Sequence, residues 1–590
     1  MDQKGAKAPF FMGKSLLHEG GTPVRGGLWL PLFAVLLAVA YVLPNHYLPW
    51  MSFHAEAWAF GVLWFVAAAV LLRNAMRGGV IYRAEPMAMV VVLMLAAIVL
   101  QFVSGHIVLG GVAWMVFLYV LSLGLMLQLG QVWHGQVAAE PYDMVFAAWI
   151  LAGVVSLPMQ LMQWTDAHWT TVFVLHLENA RRPFANLGQP NHLADLFLFA
   201  LIGVHWFWQR RSLPSPLACI LALCMLLGAA LTVSRTAWLA LLLVAGYATV
   251  RPVATDRRMQ MATLTGLAFF FVLCVVTVPA LQMVLLNTDE LPGTLQLSTG
   301  SSSARLGIWH VVLKASLQAP WTGVGWGQII HTNFWFDERM GAERGFFNDA
   351  HNLVLDLLLW NGYPLAMLLL AGLTWALWRL YRAAPLSGVW HVQVVSIVVL
   401  VHALLEFPLS YSYFLLPWGL LLGAAMPPSG LVRWSIAPAG MLSIWAVVGG
   451  MGVVTLRDYA AVEPAFYALR MEAQKLLPPQ DPRPPDIRVL TQFREYFRLA
   501  RIPLDKAYTA AEMEHLEQVA HTTPDAHILY RLALLYALQG QTDRAGFWLR
   551  QLCVKSHVLH CQEAQVKWDQ ARIQYGEQRL MPWPEGLYAH

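Results

Sequence analysis

The sequence has 590 residues, of which 58% are hydrophobic and only 12% are charged. Soluble domains carry about 25% charged residues, so this composition excludes an ordinary soluble protein and indicates an integral membrane protein. The net charge of +4 is small and predicts no nucleic-acid partner. Residues 1–27 are polar and basic, and the apolar stretch that follows is too long for a cleaved signal peptide, so we expect a cytoplasmic N-terminal tail.

About thirteen segments are apolar over roughly the 20 residues that a membrane-spanning helix needs. They predict an all-α, polytopic transmembrane domain over residues 28–456. The segments are 28–44, 56–72, 86–104, 107–130, 143–163, 192–208, 215–232, 236–250, 260–283, 352–378, 391–409, 413–427 and 434–456.

Basic residues recur in every second connection, which by the positive-inside rule faces the cytoplasm. These residues are Lys4, Lys7, Lys14 and Arg25, then Arg73, Arg77 and Arg83, then Arg210 and Arg211, then Arg251, Arg257 and Arg258, then Arg379 and Arg382, then Arg433. The pattern predicts a cytoplasmic N-terminus. With an odd number of spans, it also predicts a C-terminal tail on the outer, periplasmic side of a bacterial inner membrane.

The tail, residues 457–590, is predicted to be a separate periplasmic helical domain. Pro-rich Leu477 to Pro485 is interpreted as its linker. Ala526 to Leu552 is predicted to form two amphipathic helices broken at Gly540, spaced as in a tetratricopeptide-like hairpin. An ordinary helical domain is the alternative.

The five cysteines fall into two groups. Cys219, Cys224 and Cys274 lie in apolar segments and are interpreted as small buried hydrophobic residues. Cys553 and Cys561 lie in the polar tail. A disulfide between them is open, and it depends on an oxidising compartment.

Two polar motifs lie at predicted outer helix ends. In the first, Asn186 to Asn191, we expect Asn191 to cap the sixth span, with Pro190 setting the turn. In the second, Ser234 suits the N-cap of the eighth span, and Arg235 follows it. An arginine on the outer side opposes the positive-inside rule, which favours an anionic partner. Insertion among lipid headgroups is the alternative.

The longest predicted outer loop covers residues 284–350. Its serines 301–303 offer a helix cap, and Leu306, Trp309, Leu313 and Leu317 form an apolar stripe at helical spacing. We expect an interfacial helix with Arg305 in its first turn. The glycines at 323, 325 and 327 predict tight turns.

His351 opens the tenth span, where the positive helix end favours a neutral imidazole that can accept a proton. Glu406, near Tyr411 at the outer end of the eleventh span, is either a functional carboxylate or a structural partner for an arginine. Spans six, eight and ten all begin on the outer side, and helix N-termini bind anions. Together with Arg235 and Arg305 they predict a site for a phosphate or pyrophosphate.

Five stretches together resemble the bacterial protein O-oligosaccharyltransferases (PglL type) of the O-antigen ligase and polymerase superfamily. They are Asn186 to Ala194, Ser234 to Leu239, Arg305 with Trp309, Gly323 to Gly327, and His351 to Leu353. The resemblance extends over nearly the whole chain.

The resemblance implies a metal-independent, inverting glycosyltransferase with a GT-C-like membrane fold and no cofactor. Its donor would be an undecaprenyl-pyrophosphate-linked oligosaccharide, and its acceptor Ser or Thr of a periplasmic protein such as a pilin. The family pattern matches His351, Arg235 and Arg305 as catalytic residues. From their chemistry we expect Gln189, Asn191, Asn352, Glu406 and Tyr411 to bind the pyrophosphate or sugar.

There are two rival classes of function: another transferase of the same superfamily, and a transporter or channel. An O-antigen ligase would transfer the same donor to lipid A-core, and a polymerase would transfer it to another glycan. A transporter would need internal repeats and ionisable residues near the bilayer midplane. The sequence instead places its polar residues at one interface.

Overall fold

A helix lies in each of the thirteen apolar segments. The computed structural model describes residues 28–77, 82–83, 86–165, 172–177, 182–252, 257–286, 299–334, 346–383, 388–427, 435–478, 483–584 and 587. The helices of these segments are α1 (Trp29–Val39), α2 (Phe53–Met76), α3 (Pro86–Val103), α4 (Gly110–Gln136), α5 (Glu140–Trp164), α6 (Pro190–Gln209), α7 (Ser215–Leu231), α8 (Arg235–Val250), α9 (Arg257–Leu286), α11 (Leu353–Arg382), α12 (Val389–Ala403), α13 (Ser412–Ala425) and α14 (Pro438–Ala473).

Six helices within the described residues are long and apolar enough to cross a membrane by length and composition: α2, α4, α5, α9, α11 and α14. Among the other helices of the thirteen segments, α1, α3, α7, α8, α12 and α13 are apolar but shorter. The chain is therefore a multi-pass, all-α membrane protein. Thirteen crossings stay a prediction.

Contacts between helix ends agree with the predicted alternation of sides. At the predicted inner end, Arg73 Nη1 lies 2.6 Å from Glu140 Oε2. Strands β1 (Tyr82–Arg83) and β2 (Ser435–Ile436) pair antiparallel at that end. At the opposite end, which we call the outer end, His46 Nε2 lies 2.7 Å from the carbonyl oxygen of Asn186. Segments predicted to share a side are thus in contact.

The long outer loop contains α10 (Thr299–Gln318) and a 3-10 helix (Ile329–Phe334). Three of the four residues of its apolar stripe, Leu306, Leu313 and Leu317, are exposed, and Trp309 is half-buried. The opposite face packs Val312 and Ala315 into a small core. Two details of the prediction are wrong: α10 begins at Thr299, so the serines lie inside the helix rather than capping it, and Arg305 lies in the second turn.

The glycine run docks on a break in α11. Gly362 has φ 68° and ψ 170°, outside the helical region, and Pro364 follows it. The amides of Val324 and Gly325 donate to the carbonyls of Leu359 and Trp360 at 2.9 and 3.1 Å, which satisfies oxygens next to the break. The predicted tight turn is confirmed, because Gly323, Gly325 and Gly327 all have positive φ.

The tail contains α15 (Thr491–Ala500), α16 (Ala510–Thr522), α17 (Ala526–Leu538), α18 (Thr542–Lys555) and α19 (Val558–Tyr575). The pair α17 and α18 confirms the predicted helical hairpin, with Gly540 at φ 79° in the turn. A tetratricopeptide repeat stays a prediction. Residues 479–482 of the predicted linker lie outside the described residues.

The tail is joined to the bundle by one continuous core. Helix α14 runs without interruption from its apolar half into the tail. The tail core includes Phe53 of α2 and Leu109 just before α4. The amide of Gly111 in α4 donates to Thr491 Oγ1 of α15 at 2.8 Å. The boundary predicted at residue 457 therefore falls inside a helix.

The cysteines differ in part from expectation. Cys274 is buried and Cys224 half-buried, but Cys219 is exposed on the surface of the bundle, so its interpretation as buried is wrong. A residue on the lipid-facing side of an apolar helix needs no cover from the chain. Cys553 and Cys561 form a disulfide, with their Cα atoms 4.7 Å apart.

Candidate active site at the outer helix ends

Glu406 lies at the centre of a polar cluster at the outer end. Helix α12 ends at Ala403, so the carboxylate stands three residues beyond the helix, and it is 5% exposed. Arg305 donates from Nη2 to Glu406 Oε1. His351 Nδ1 lies 3.0 Å from Glu406 Oε2. The sequence allowed two roles for Glu406, a functional carboxylate or a structural partner for an arginine. In the structure Glu406 contacts both Arg305 and His351.

Two amides of the Asn186 to Asn191 motif also reach this carboxylate. Asn191 Nδ2 donates to Glu406 Oε1 at 3.1 Å, and Gln189 Nε2 lies 3.5 Å from Oε2. The predicted capping role of Asn191 is wrong, because α6 begins at Pro190 and Gln189 occupies the N-cap position. Proline suits the first helical position, since it lacks an N–H that would need a partner. The Asn191 side chain is therefore available for tertiary contacts.

Asn191 also connects the N-termini of α6 and α8. Ser234 Oγ donates to Asn191 Oδ1 at 2.8 Å and accepts from the amide of Ala237, which confirms Ser234 as the N-cap of α8. Arg235 is the first residue of α8 and is exposed. Two of the three helix N-termini predicted to form an anion site are thus directly joined.

His351 has an unusual backbone conformation. Its φ of 53° lies in the left-handed region, which non-glycine residues seldom adopt and which is concentrated at functional sites. Asn352 is the N-cap of α11, and its Oδ1 accepts from the amides of Val354 and Leu355. Its Nδ2 donates to the carbonyl of Leu404 at 3.1 Å. The Asn352 side chain therefore holds the backbone beside His351.

Burial opposes ionisation of Glu406, but the hydrogen bond from His351 and the charge of Arg305 outweigh it. The pKa of Glu406 consequently lies below its usual value. An ionised Glu406 accepts the Nδ1–H of His351, which leaves Nε2 as the nitrogen that can take up a proton.

Arg182 is a third arginine of the cluster, and the sequence reasoning missed it. Its Nη2 donates to Asn191 Oδ1 at 3.2 Å and its Nε donates to the carbonyl of Thr232 at 3.2 Å. Burial lowers the pKa of Arg182, the charge of Glu406 raises it, and the nearby charges of Arg235 and Arg305 lower it further. The sequence did contain a signal for Arg182. Like Arg235, it lies in a connection predicted to be on the outer side, where the positive-inside rule disfavours arginine.

Two cavities adjoin this cluster. The first, of about 720 Å³, is lined by His351, Gln189 and Tyr411 among others. The second, of about 360 Å³, is mainly apolar and has Glu406 on its wall. Trp50, Asp349 and Phe407 line both. Asn191, Arg235, Arg305 and Asn352 are not among the lining residues of either cavity in the described structure.

Asp349 is a further carboxylic acid at the junction of the cavities. Burial raises its pKa to about 6, although the charge of His351 acts in the opposite direction. An acid with this pKa changes protonation state near neutral pH. Asp349 stands three residues before the N-cap Asn352, where an aspartate is common, so its position in the sequence did not mark it.

Two family models match the chain. The model described as O-antigen ligase matches residues 220–370. The model described as virulence factor membrane-bound polymerase, C-terminal, matches residues 389–571. The two matches together cover more than half of the sequence.

The chain belongs to the O-antigen ligase superfamily. The matched ranges include Arg235, Arg305 and His351 in the first and Glu406 with Tyr411 in the second. The superfamily resemblance drawn from the motifs is confirmed.

Two proteins similar to this chain are named as O-oligosaccharyltransferases. The chain is similar to the general O-oligosaccharyltransferase of Acinetobacter baylyi, with 27% identity over 547 residues, which is 90% of this chain and 94% of that protein. It is also similar to the ComP-specific O-oligosaccharyltransferase of the same organism, with 29% identity over 243 residues, 41% of this chain and 43% of that protein. The match to the first includes the helical tail as well as the bundle, because it extends over nine-tenths of the sequence.

Proposed function

We propose that the chain is an O-linked oligosaccharyltransferase. It moves a glycan in one piece from undecaprenyl pyrophosphate to a Ser or Thr of a periplasmic protein such as a pilin. The observation that carries the proposal is the single cluster of Arg305, Glu406 and His351 beside the two cavities. The match to a general O-oligosaccharyltransferase over most of both chains supports it.

The proposed reaction is one displacement at the anomeric carbon. The acceptor hydroxyl oxygen forms a bond to that carbon, and the bond from the carbon to the pyrophosphate oxygen breaks. The electron pair of the broken bond goes to the pyrophosphate, and the hydroxyl proton goes to His351 Nε2. Attack from the face opposite the leaving group inverts the configuration.

The arginines are proposed to stabilise the charge that develops on the leaving pyrophosphate. A guanidinium has five N–H donors, so Arg305 can hold Glu406 with one of them and still bind phosphate oxygens. Its side chain is 27% exposed, which leaves it accessible. Arg235 and Arg182 add positive charge at the N-terminal ends of α8 and α6. Because these groups supply the stabilisation, we propose that the reaction needs no metal ion and no cofactor.

Glu406 is proposed to orient the histidine rather than to react. Its bond to Nδ1 fixes the imidazole tautomer and stabilises the imidazolium that forms when Nε2 takes up the proton, as the aspartate does in a Ser-His-Asp triad. Gln189 and Asn191 in turn hold the carboxylate. Tyr411, on the cavity wall, is proposed to contact the sugar.

The proposed placement is the inner membrane of a bacterium, with the N-terminus cytoplasmic and the site and tail periplasmic. Six apolar helices of sufficient length support membrane residence. The disulfide in the tail fits the oxidising periplasm. Arg73, Arg210 and Arg379 lie at helix ends that the positive-inside rule assigns to the cytoplasm.

A transfer assay tests the proposal. Purified full-length protein receives a defined undecaprenyl-pyrophosphate glycan and one of three acceptors: a protein with accessible serines, lipid A-core, or a free glycan. We expect transfer to the protein and its loss in His351→Ala. His106→Ala is the matched control, because His106 is at the outer end but its ring bonds only Ser104 and Thr322 among the described contacts.

The acceptor that receives the glycan identifies the function. Transfer only to lipid A-core would make the chain a ligase, and transfer only to a glycan would make it a polymerase. Wild-type transfer by His351→Ala would remove the proposed role of His351. No transfer to any acceptor by wild-type protein would contradict the proposal itself.

A further inference from the structure

The wall of the larger cavity includes an indole whose position is fixed by a buried carboxylate. Trp50 Nε1 donates to Ser52 Oγ at 3.1 Å and to Glu56 Oε1 at 3.0 Å. Glu56 is 4% exposed and also accepts from the hydroxyls of Ser52 and Tyr119 and from the amide of Ser412. Because these hydrogen bonds occupy the Glu56 carboxylate, its role is structural. It holds the indole of Trp50 in a fixed position.

The tail contributes a second ring to the lining of the same cavity. Phe493 of α15 lines the cavity together with Trp50. Its position is set by the tail contacts, because the ring of Tyr459 stacks on Phe53 at 3.7 Å and lies 6.4 Å from the ring of Phe493. The amide of Trp50 also donates to the Tyr459 hydroxyl at 3.3 Å. The two rings therefore come from distant parts of the chain and are fixed relative to each other.

Polar groups stand among these rings. The same cavity is lined by His46, Ser52, Gln189 and Asn348. A pyranose presents apolar C–H faces and a rim of hydroxyls, so it uses both kinds of group at once. A polyprenyl chain would leave the polar groups without partners, which costs free energy. The volume of about 720 Å³ is within the range of about 300–1,000 Å³ typical of small-molecule sites.

We propose that Trp50 and Phe493 form a platform on which a sugar ring of the donor glycan packs, so that the tail completes the donor site. The proposal rests on the proposed function, since it takes the ligand to be the lipid-linked glycan. It assigns the tail a direct part in substrate binding. Glu56 is a positioning residue for Trp50.

The test compares variants that keep or remove an aromatic ring. Trp50→Leu and Phe493→Leu keep apolar bulk, whereas Trp50→Phe and Phe493→Tyr keep a ring. For the leucine variants we expect the donor KM to rise about tenfold, since an aromatic contact of this kind is worth about 1 kcal/mol or slightly more. Phe493→Tyr should remain within about threefold of wild type by the same reasoning. Trp50→Phe keeps a ring but loses the bond to Glu56, so its donor KM should lie between those of wild type and Trp50→Leu. The acceptor KM should not change in any of them.

Phe334→Leu is the matched control. Phe334 packs on the tail, 5.6 Å from the ring of Trp548, but does not line the cavity. If Phe334→Leu raises the donor KM as much as Phe493→Leu does, the effect is one of tail docking and the proposal is overturned. A rise in acceptor KM instead of donor KM would assign the wall to the acceptor protein, which also overturns it.

A binding measurement separates this proposal from the proposed function. Free oligosaccharide, released from the donor lipid by acid hydrolysis, is added to detergent-solubilised full-length protein, and its contacts are followed by saturation-transfer NMR. We expect binding to wild type, Trp50→Phe and Phe334→Leu, and its loss in Phe493→Leu. This result can hold even if no transfer occurs, whereas transfer without any difference among the variants would refute the platform alone.

Discussion

The imidazole of His351 and the carboxylate of Glu406 are hydrogen-bonded across 3.0 Å, although 55 positions separate them in the sequence. One residue precedes the cap of α11 and the other follows the end of α12. The pair therefore depends on how these two helices meet, and Arg305 binds the same carboxylate.

Replacement of the Glu406 carboxylate by an amide should abolish most of the transfer activity. Glu406→Gln keeps the shape but cannot stabilise an imidazolium, so we expect kcat to fall by about 10²–10⁴-fold, the usual contribution of general acid–base catalysis. The measurement is steady-state transfer with purified protein. Glu463→Gln is the control, because Glu463 pairs with His54 at 2.8 Å elsewhere at the outer end. Equal losses in both variants would show a general effect of outer ion pairs.

The type of cation at position 305 should matter as much as its charge. Arg305→Lys keeps one positive charge but loses the planar fork that binds two oxygens, and we expect the donor kcat/KM to fall at least about tenfold. Arg457→Lys serves for comparison, since Arg457 pairs with Asp486 on the tail surface. Full activity of Arg305→Lys would argue against bidentate phosphate binding.

Arg182 should behave as a member of the same cluster. Arg182→Ala removes a positive charge near Arg235 and Arg305 and two hydrogen bonds, to Asn191 and to the carbonyl of Thr232. We expect a donor KM raised about tenfold or more, as for loss of a charge-assisted contact. Donor titration under single-turnover conditions measures it. Unchanged donor affinity would assign Arg182 to loop stability alone.

The sequence located the helices because apolar length is a local property. The partners of Asn191 were not predictable in that way, since they lie 43 and 215 positions away in Ser234 and Glu406. Arg305 and His351 were found from helix ends and from the family resemblance. Arg182 was missed because it belongs to a loop without helical periodicity, although its charge on the outer side was the same signal that identified Arg235.

Stability should depend on pH through Asp349. Its pKa is raised to about 6 in the folded protein, so between about pH 4 and 6 the folded state binds more protons than the unfolded state. Stability from this group is therefore present at low pH and is lost as pH rises through about 6. Asp349→Asn should remove that dependence. The difference in thermal midpoint between wild type and Asp349→Asn, followed from pH 4 to 7.5, measures it, and parallel curves would contradict the expectation.

The compartment of the tail can be read from its thiols. If the tail is periplasmic, Cys553 and Cys561 should be oxidised in intact cells, whereas exposed Cys219 should remain a thiol. A maleimide mass tag added before and after reduction counts the free thiols. A Cys553→Ser, Cys561→Ser double variant identifies which of them are protected. Free thiols at 553 and 561 without reduction would place the tail in the cytoplasm.

Helix α14 sets how far above the bilayer the protein can reach. Its 36 residues extend about 54 Å at about 1.5 Å per residue, against a hydrocarbon core of about 30 Å. Because α14 continues into the tail and shares its core, the tail is held at a fixed height above the bilayer and does not move as a flexibly linked domain. For the proposed transfer, the acceptor Ser or Thr must therefore reach down to the membrane surface. Compact folded regions of large soluble proteins would be too far from the site to act as acceptors. Extended segments, or proteins already anchored in the same membrane, would be favoured as acceptors.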